Sequence, residues 1–522
     1  MQVSFLCSLF ASILLSNATP WRLQAHGTNE STEDAFHLDV PTSSGTIHGM
    51  IDPLFPDVRQ FLGIPYALPP VGPLRWLPPQ NLPASASEDD LMATHLTPSC
   101  MQYFSVPGMY SREVLEFNVK GLNGTTAAVS EDCLTLSIWA PTVGDQLRGQ
   151  SNIHQNTSLP VIIWVHGGGW IFGGQDVPYQ LPTNWVERSK SHIVVALNYR
   201  LNIFGYPNAR GLAEQNLGLL DLRLAIEWIH TNIGQFGGDR SRIALWGQSA
   251  GAGSADYYNF AYHEDPKISS LMLTSGSAQL PKTVDPAHTN FTFVASQLGC
   301  DGLYSQPMQQ LECMRNISAA KLEDFIEEHQ TGGNSPPIAF TPVVDERIIF
   351  SNYSARALSG QIAKIPAILG TTDNEGASLV TYHPSGPNVT EAQTYSKNIF
   401  FCPTVNTVRY REQAGLVTYR YLYSGNFSNI SPRSWMGAYH CSDLPLIFGT
   451  HQNYRGASTR LETETSKSMQ DAWLALVSSG SKGMNAVAWR PYLLGGTSVR
   501  NFGHGVSAKN IQTDQLDSGC LE

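Results

Sequence analysis

A serine in a glycine-framed turn is the first residue of this sequence whose surroundings indicate chemistry. Ser249 is the centre of the pentapeptide GQSAG, which follows the apolar run 242–246 and precedes a stretch of small residues. A nucleophile elbow has this order: a strand, a sharp turn that exposes the serine hydroxyl, and a helix whose first N–H groups favour negative charge. The pattern therefore predicts Ser249 as a nucleophile. A small residue that only fits a tight turn would have the same sequence.

A serine hydroxyl is a weak nucleophile unless a base removes its proton and an acid orients that base. In the order serine, acid, histidine, both partners follow the nucleophile in the chain. Asp373 and Glu375 come just after the apolar run 365–372, as an acid at the end of a strand should. The histidines that follow the serine are His263, His288, His329, His383, His440, His451 and His504. Residue type alone does not choose among them.

A glycine run supplies the third part of an acyl-transfer site. The sequence HGGGW occupies residues 166–170 and follows the apolar run 161–165. Glycines let backbone N–H groups approach a developing oxyanion, and losing one such donor typically costs about two to three orders of magnitude in rate. A glycine-rich turn without a ligand is the alternative interpretation.

The elements that would position these residues alternate along the chain. Continuous apolar, β-branched runs at 161–165, 192–200, 242–247, 269–277 and 365–372 predict strands that are buried on both faces. Between the second and third runs, apolar residues recur at helical spacing from Leu219 to Ile233, and glycine closes the segment. The pattern predicts an α/β fold with a large, mostly parallel sheet and helices on both faces. Residues 167–170, Ser249 and Glu375 should then meet at the carboxyl ends of the strands.

Composition narrows the class of protein. The chain has 522 residues and a net charge of −11, which argues against a nucleic-acid partner because such proteins carry a basic surface. Residues 1–18 form an apolar segment that ends in small residues, so a secretory signal peptide is predicted, with a buried N-terminal helix as the alternative. No other membrane span or apolar C-terminal anchor is predicted. Residues 19–522 are predicted to form one domain, and the oligomeric state stays open.

Two features agree with secretion. Nine Asn-x-Ser/Thr sequons are candidate glycosylation sites, at Asn29, Asn123, Asn156, Asn290, Asn316, Asn352, Asn388, Asn426 and Asn429. After loss of Cys7 with the signal segment, seven cysteines remain and no CxxC pair suggests zinc or redox chemistry. Disulfides are therefore the preferred interpretation. Because seven is odd, at least one thiol stays unpaired or pairs between chains.

Several longer blocks resemble one family in the same order along nearly the whole mature chain. They include FLGIPYALPPVGPLRWLPP (61–79), SEDCLTLSIWAP (130–141), the glycine run, the serine elbow and GAYHCSDLPLIFGT (437–450). The chain resembles the type-B carboxylesterase/lipase family, cholinesterase-like α/β-hydrolases, and is closest in appearance to secreted fungal members. The resemblance implies a serine esterase that needs no metal or organic cofactor and takes a small-molecule ester as its partner.

The resemblance also implies a role for each site residue. Ser249 is the nucleophile, His440 the base and then the acid, and Glu375, in preference to Asp373, the carboxylate that orients His440. The oxyanion-hole donors are Gly168, Gly169 and Ala250. The implied disulfides are Cys100–Cys133 and Cys300–Cys313. Cys402 has two possible partners, Cys520 and Cys441, of which Cys441 is slightly preferred.

Two departures from the family bear on substrate. Gln248 stands before the nucleophile where many relatives have Glu, and the 100–133 loop contains no tryptophan. Both disfavour a choline-type substrate, because stabilisation of a cation gains from negative charge and an aromatic face. The expected function is a secreted serine carboxylesterase. Alternatives are a lipase acting on longer-chain esters, an esterase acting on a secondary-metabolite ester or lactone, and a non-catalytic binding module.

Overall fold

The computed structural model describes residues 38–83, 90–103, 108–114, 129–142, 158–303, 305–453 and 455–520. The predicted signal peptide and the sequons at Asn29, Asn123 and Asn156 lie outside these residues and stay predictions. The single domain over residues 19–522 likewise stays a prediction.

The strands in chain order are β1 (Asp39–Thr42), β2 (Gly45–His48), β3 (Met50–Ile51), β4 (Val58–Pro65), β5 (Asp90–Met92), β6 (Ser99–Cys100), β7 (Val129–Ser130), β8 (Thr135–Pro141), β9 (Leu159–Val165), β10 (Ile193–Leu197), β11 (Gly238–Gln248), β12 (Ser270–Thr274), β13 (Ala367–Thr372), β14 (Thr418–Tyr423), β15 (Val499–Phe502) and β16 (Ala508–Ile511). The five predicted apolar runs coincide with β9, β10, β11, β12 and β13, so these strand predictions are confirmed.

The α-helices are α1 (Gly108–Arg112), α2 (Thr183–Ser189), α3 (Asn202–Gly205), α4 (Leu217–Asn232), α5 (Ala250–Ala261), α6 (Thr289–Gln297), α7 (Pro307–Arg315), α8 (Ala319–Thr331), α9 (Tyr353–Leu358), α10 (Val389–Tyr395), α11 (Cys402–Gln413), α12 (Leu444–Phe448), α13 (Arg460–Ala486) and α14 (Thr513–Asp517). The helix predicted between the second and third apolar runs is α4. A single π-helical turn, Ser396–Phe401, joins α10 to α11.

Eleven strands form one sheet in the order β16-β15-β14-β13-β12-β11-β9-β10-β8-β4-β3. The strands from β15 through β10 run parallel to each other, and antiparallel strands complete both edges. The α/β fold with a mostly parallel sheet is therefore confirmed. Smaller sheets pair β2 with β1 and β5, and β6 with β7.

Alternate strand residues enter two different cores, which explains the continuous apolar runs. On one face, Val161, Ile163 and Leu245 pack with residues of α4 and α5. On the other face, Trp164 and Trp246 pack with residues of α2, α12 and α13. A strand that is covered on both faces must be apolar at every position.

Within the described residues, three disulfides cross-link the chain. Cys100 pairs with Cys133 and Cys300 with Cys313, as the family resemblance implies. Cys402 pairs with Cys520, with their Cα atoms 5.2 Å apart, and Cys441 is a free thiol. The slight preference for Cys402–Cys441 is therefore wrong. Cys402 begins α11 and the C-terminal segment returns to it, whereas Cys441 lies on a different loop.

The described sequons differ in exposure. Asn316, Asn352, Asn388 and Asn426 are exposed, and Asn290 is half-buried. Asn429 is only 6% exposed, and its Nδ2 donates to Glu462 Oε1 at 2.8 Å and to His451 O at 3.0 Å. A glycan is attached through this nitrogen, which is buried and hydrogen-bonded in the folded chain; glycosylation at Asn429 stays a prediction.

Candidate active site

Ser249 occupies a strained turn between β11 and α5. Its backbone has φ 55° and ψ −123°, a left-handed φ that a residue with a Cβ rarely adopts. Gly247 and Gly251 make this turn possible, because a Cβ on Gly247 would overlap Gly251 O and a Cβ on Gly251 would overlap Val165 O. The turn is also held by Ser249 N–H, which donates to Thr274 O on β12 at 2.9 Å. The strand–turn–helix order expected of an elbow is present.

Glu375 and His440 form a buried pair. His440 Nδ1 lies 2.5 Å from Glu375 Oε2, and both residues are almost inaccessible, at 4% and 1% exposed. The other carboxylate oxygen, Glu375 Oε1, accepts from Thr372 N–H at 2.8 Å. Asp373 has no contact with His440; it interacts with Ser424 on the neighbouring loop. The structure thus brings together the preferred acid and not its alternative.

The loops that carry the acid and the histidine are hydrogen-bonded to each other. Asn374 N–H donates to Ala438 O at 3.0 Å, and Asn374 Nδ2 donates to Met436 O at 2.7 Å. Tyr110 OH from α1 donates to His440 O at 2.5 Å. These contacts fix the distance between Glu375 and His440 independently of any substrate.

The glycine run forms a loop beside the serine. Gly168 and Gly169 have φ of 106° and 65°, and Gly168 O accepts the N–H groups of Ile171 and Phe172, which closes the loop. Across the part of the chain that the structure describes, the N–H groups of Gly168, Gly169 and Ala250 have no hydrogen-bond acceptor. All three residues line the same pocket as Ser249 and His440. They are therefore available to an oxygen atom of a ligand.

The outer nitrogen of the imidazole lies beside a glutamine side chain. His440 Nε2 lies 3.0 Å from Gln248 Nε2, and among the described residues Ser249 Oγ has no hydrogen-bond partner. Sequence reasoning had noted Gln248 for the charge it lacks and missed this contact. The strand alternation of β11 is the signal that could have revealed it.

The pocket has a volume of about 330 Å³ and a largely aromatic and aliphatic wall. Its apolar lining comes from loops after several strands and from the π-helical turn, and includes Trp170, Phe172, Leu280, Leu379, Ile399 and Phe400. The Phe400 ring packs 4.6 Å from the ring of His440. Apolar walls with a few convergent polar groups are typical of a small-molecule site.

Burial and charge shift the acidity of three groups in the site. Burial opposes protonation of His440, but Cys441 and Glu375 outweigh it and raise the pKa of the imidazole. Burial, with the nearby Glu375 carboxylate, raises the pKa of Asp443 to about 7. Burial lowers the pKa of His166 to about 4, so His166 is neutral and serves as a packing residue, stacked on Tyr199 at 4.6 Å.

Two properties of the described residues bear on partners. No group of three or more His, Cys, Asp or Glu side chains in those ranges could hold a metal ion. None of the helices there combines the length and apolar composition needed to cross a bilayer.

Comparison with known proteins gives the family. The model of the "Carboxylesterase family" matches residues 37–398 and 388–517. The chain belongs to the carboxylesterase family. Within it, the chain is 45% identical to a "Chlorogenic acid esterase" of Aspergillus niger over 91% of this chain and 88% of that one. It is 40% identical to "Secreted lipase 5" of Gibberella zeae over 91% of each chain. An "Acetylcholinesterase" of Bungarus fasciatus is 26% identical over 86% of this chain and 79% of that one.

Family membership confirms the resemblance found in the sequence and makes the chain a carboxylic ester hydrolase by family. It also gives a context to the geometry, because a serine elbow, a buried histidine–carboxylate pair and a set of free N–H donors are the parts that ester hydrolysis requires.

Proposed function

We propose that the protein is a serine carboxylesterase that hydrolyses carboxylic esters through an acyl-enzyme on Ser249. The observation that carries this proposal is the arrangement of Ser249, His440 and Glu375 at one pocket. His440 Nε2 takes the proton of Ser249 Oγ as the oxygen attacks the ester carbonyl, and then gives it to the departing alcohol. A water molecule, deprotonated by the same nitrogen, then attacks the acyl group and releases the acid and the serine.

The N–H groups of Gly168, Gly169 and Ala250 are proposed as the oxyanion hole. Each attack turns the carbonyl oxygen into an oxyanion, which preorganised N–H groups stabilise without having to reorient. These N–H groups have no acceptor among the described residues, which supports this role. The N-terminus of α5 adds favourable potential at the same place, since its first residue is Ala250.

For the substrate class, we propose an ester of the chlorogenic acid type, in which an aromatic acyl group is joined to a hydroxylated alcohol. The Aspergillus niger relative bears that name and is 45% identical. The pocket supports the assignment, because a volume of about 330 Å³ with Trp170, Phe172 and Phe400 in its wall suits a flat aromatic group. A choline ester is disfavoured, because neutral Gln248 precedes the nucleophile.

A lipase acting on longer-chain esters is the second candidate, supported by the 40% identity to "Secreted lipase 5". A lipase would need a cover that opens at a lipid surface. The segment that carries α1 is instead held down by polar contacts: Glu113, 7% exposed, accepts from Tyr382 OH at 2.5 Å and from Arg433 Nε at 2.8 Å. These bonds tie the segment to the loops after β13 and β14, which favours a soluble ester over a lipid surface.

Secretion is part of the proposal. It is supported by the disulfides, by the exposed sequons and by the name of the Gibberella zeae relative. Extracellular proteins retain disulfides that the reducing cytosol would not.

The test of the catalytic proposal is active-site labelling. The purified, deglycosylated protein is treated with a fluorophosphonate probe, and the adduct is located by peptide mass spectrometry. One adduct, on Ser249, is expected, and it should disappear in Ser249→Ala and fall steeply in His440→Ala. A folded protein without an adduct would refute the proposal and favour a binding module. Chlorogenic acid, p-nitrophenyl acetate and p-nitrophenyl palmitate then compare the substrate classes; a preference for palmitate would favour the lipase.

A further inference from the structure

Gln248 is a polar side chain within hydrogen-bond distance of the outer nitrogen of the proposed general base. It is the last residue of β11 and is 1% exposed. Its Nε2 lies 3.0 Å from His440 Nε2, within hydrogen-bond distance. The proposed mechanism assigns Gln248 no part, although it occupies the nitrogen through which that mechanism must operate.

We propose that Gln248 is a positioning residue that donates a hydrogen bond to His440 Nε2 in the free enzyme, favours the neutral imidazole against the charged groups around it, and releases it when an ester binds. This inference rests on the proposed function, since it assigns a resting state to the same base. It adds a step that the family's catalytic residues do not by themselves require.

The proton positions follow from the two neighbours of the imidazole ring. Nδ1 faces the Glu375 carboxylate at 2.5 Å, which accepts only, so Nδ1 carries a hydrogen. In the neutral ring, Nε2 then has a lone pair and no hydrogen. The Gln248 amide nitrogen can donate to that lone pair. Because the lone pair accepts one strong hydrogen bond, the Gln248 amide and the Ser249 hydroxyl compete for it.

The location of Gln248 indicates what could release His440. A Cβ placed on Gly167 would lie 2.5 Å from Gln248 Oε1, so the amide is packed against the start of the glycine loop. The ester oxygen is proposed to bind in that same loop. An ester that enters the loop therefore reaches the amide and the histidine together, and we expect the amide to turn as His440 Nε2 moves to Ser249 Oγ.

A donor to Nε2 also affects the protonation of His440. The titratable groups around the ring are Glu375 from the loop after β13, Cys441 and Asp443 on its own segment, and Tyr110 from α1. These groups either favour the imidazolium or are neutral. Gln248, which does not titrate, opposes them, because a hydrogen bond to the neutral form disfavours the charged form.

Two substitutions test the competition with Ser249 and the effect on the pKa of His440. Gln248→Met keeps the length of the side chain and removes the donor, so the midpoint of the acid limb of kcat/KM should move to higher pH. Above that limb, Ser249 should react several-fold faster with a fluorophosphonate, since its competitor is gone. Gln248→Glu places a carboxylate against Nε2 and should move the midpoint further, by about 1–3 pH units, the usual effect of an opposite charge at this range.

The experiment measures pH profiles of kcat/KM and second-order fluorophosphonate rates for the native chain, both Gln248 variants and Gln180→Met. Gln180 is a matched control, because it is a buried glutamine of the same pocket that accepts from Trp164 Nε1 and has no contact with His440. We expect it to leave the midpoint of the acid limb unchanged. Thermal melting identifies any variant that does not fold.

The outcomes distinguish this inference from the proposed function. If the native chain is neither labelled nor active on esters, the proposed function falls. If the native chain is active but the Gln248→Met and Gln248→Glu midpoints coincide with the native midpoint, the inference alone is overturned. If Gln248→Glu does not fold, Gln248→Met decides: an unchanged midpoint with an unchanged labelling rate refutes the inference, and a raised midpoint with faster labelling supports it.

Discussion

Glu375→Gln is the substitution for which the structure gives the sharpest expectation. In the native chain, one carboxylate oxygen accepts from His440 Nδ1 and the other accepts from Thr372 N–H. An amide of the same size offers one acceptor and one donor. Either His440 or Thr372 must then face an N–H group, and a buried donor without an acceptor costs about 1–3 kcal/mol.

The cost to the reaction is larger, because the imidazolium formed during attack loses its counter-charge. Two unit charges about 4 Å apart interact by about 4 kcal/mol at an effective dielectric constant of about 20. Since each 1.36 kcal/mol is a factor of ten in rate, kcat/KM should fall about 10³-fold. If the amide NH₂ faces Nδ1, the ring also takes the wrong tautomer, and the loss should approach about 10⁴-fold.

The assay is hydrolysis of p-nitrophenyl acetate, with thermal melting to show that the variant is folded. Asp373→Asn is the matched control, two residues away on the same loop and without contact to His440, and it should stay within about threefold of the native rate. The reasoning is refuted if folded Glu375→Gln keeps more than a tenth of the native kcat/KM, or if Asp373→Asn loses as much as Glu375→Gln.

Three further predictions concern stability. The pKa of Asp443 is raised from 3.8 to about 7, so the folded chain binds more protons than the unfolded chain between these values. The free energy of unfolding should therefore fall as the pH rises from about 4 to 7. Asp443→Asn should remove up to about 4 kcal/mol of that fall, measured by urea unfolding at both pH values. Gly251→Ala should lower the free energy of unfolding by about 1–3 kcal/mol or prevent folding, because the new Cβ overlaps Val165 O, and an unchanged melting temperature would contradict this. Replacing Cys402 and Cys520 together by serine should lower the free energy of unfolding by about 2–4 kcal/mol, while activity at 25 °C persists. Equal melting temperatures for the oxidised and the reduced native protein would contradict this stabilising role of the disulfide.

The parts of the site that were predictable are those set by local patterns. β9, β11 and β13 each have a continuous apolar run, and a candidate site residue lies one to three positions after the end of each strand. Once the runs are taken as parallel strands, their carboxyl ends meet at one edge, which brings the glycine loop, Ser249 and Glu375 together. His440 could not be found in this way, because the long segment between β14 and the histidine has no period that fixes its path.

The parts that were wrong or open depend on contacts between distant segments. The sequon at Asn429 is local, but its burial follows from packing against Glu462, in the first turn of α13. The partner of Cys402 depends on which part of the fold the last residues of the chain pack against, and these residues carry Cys520. Neither can be inferred from spacing, because tertiary packing and not local preference decides which groups lie within reach.

The direction of the Gln248 side chain, in contrast, can be inferred from strand periodicity, which places it on the same face as the histidine segment. Successive side chains of a strand alternate between faces, so Gln248 shares a face with Ala244 and Trp246. Both belong to the core that also contains Tyr439 and Leu444, the residues that flank the histidine segment. The residue before the elbow serine must therefore point to the face that the histidine segment covers. A glutamine there, in place of a glutamate, exchanges a charge that would favour the imidazolium for an amide that can bind the neutral base.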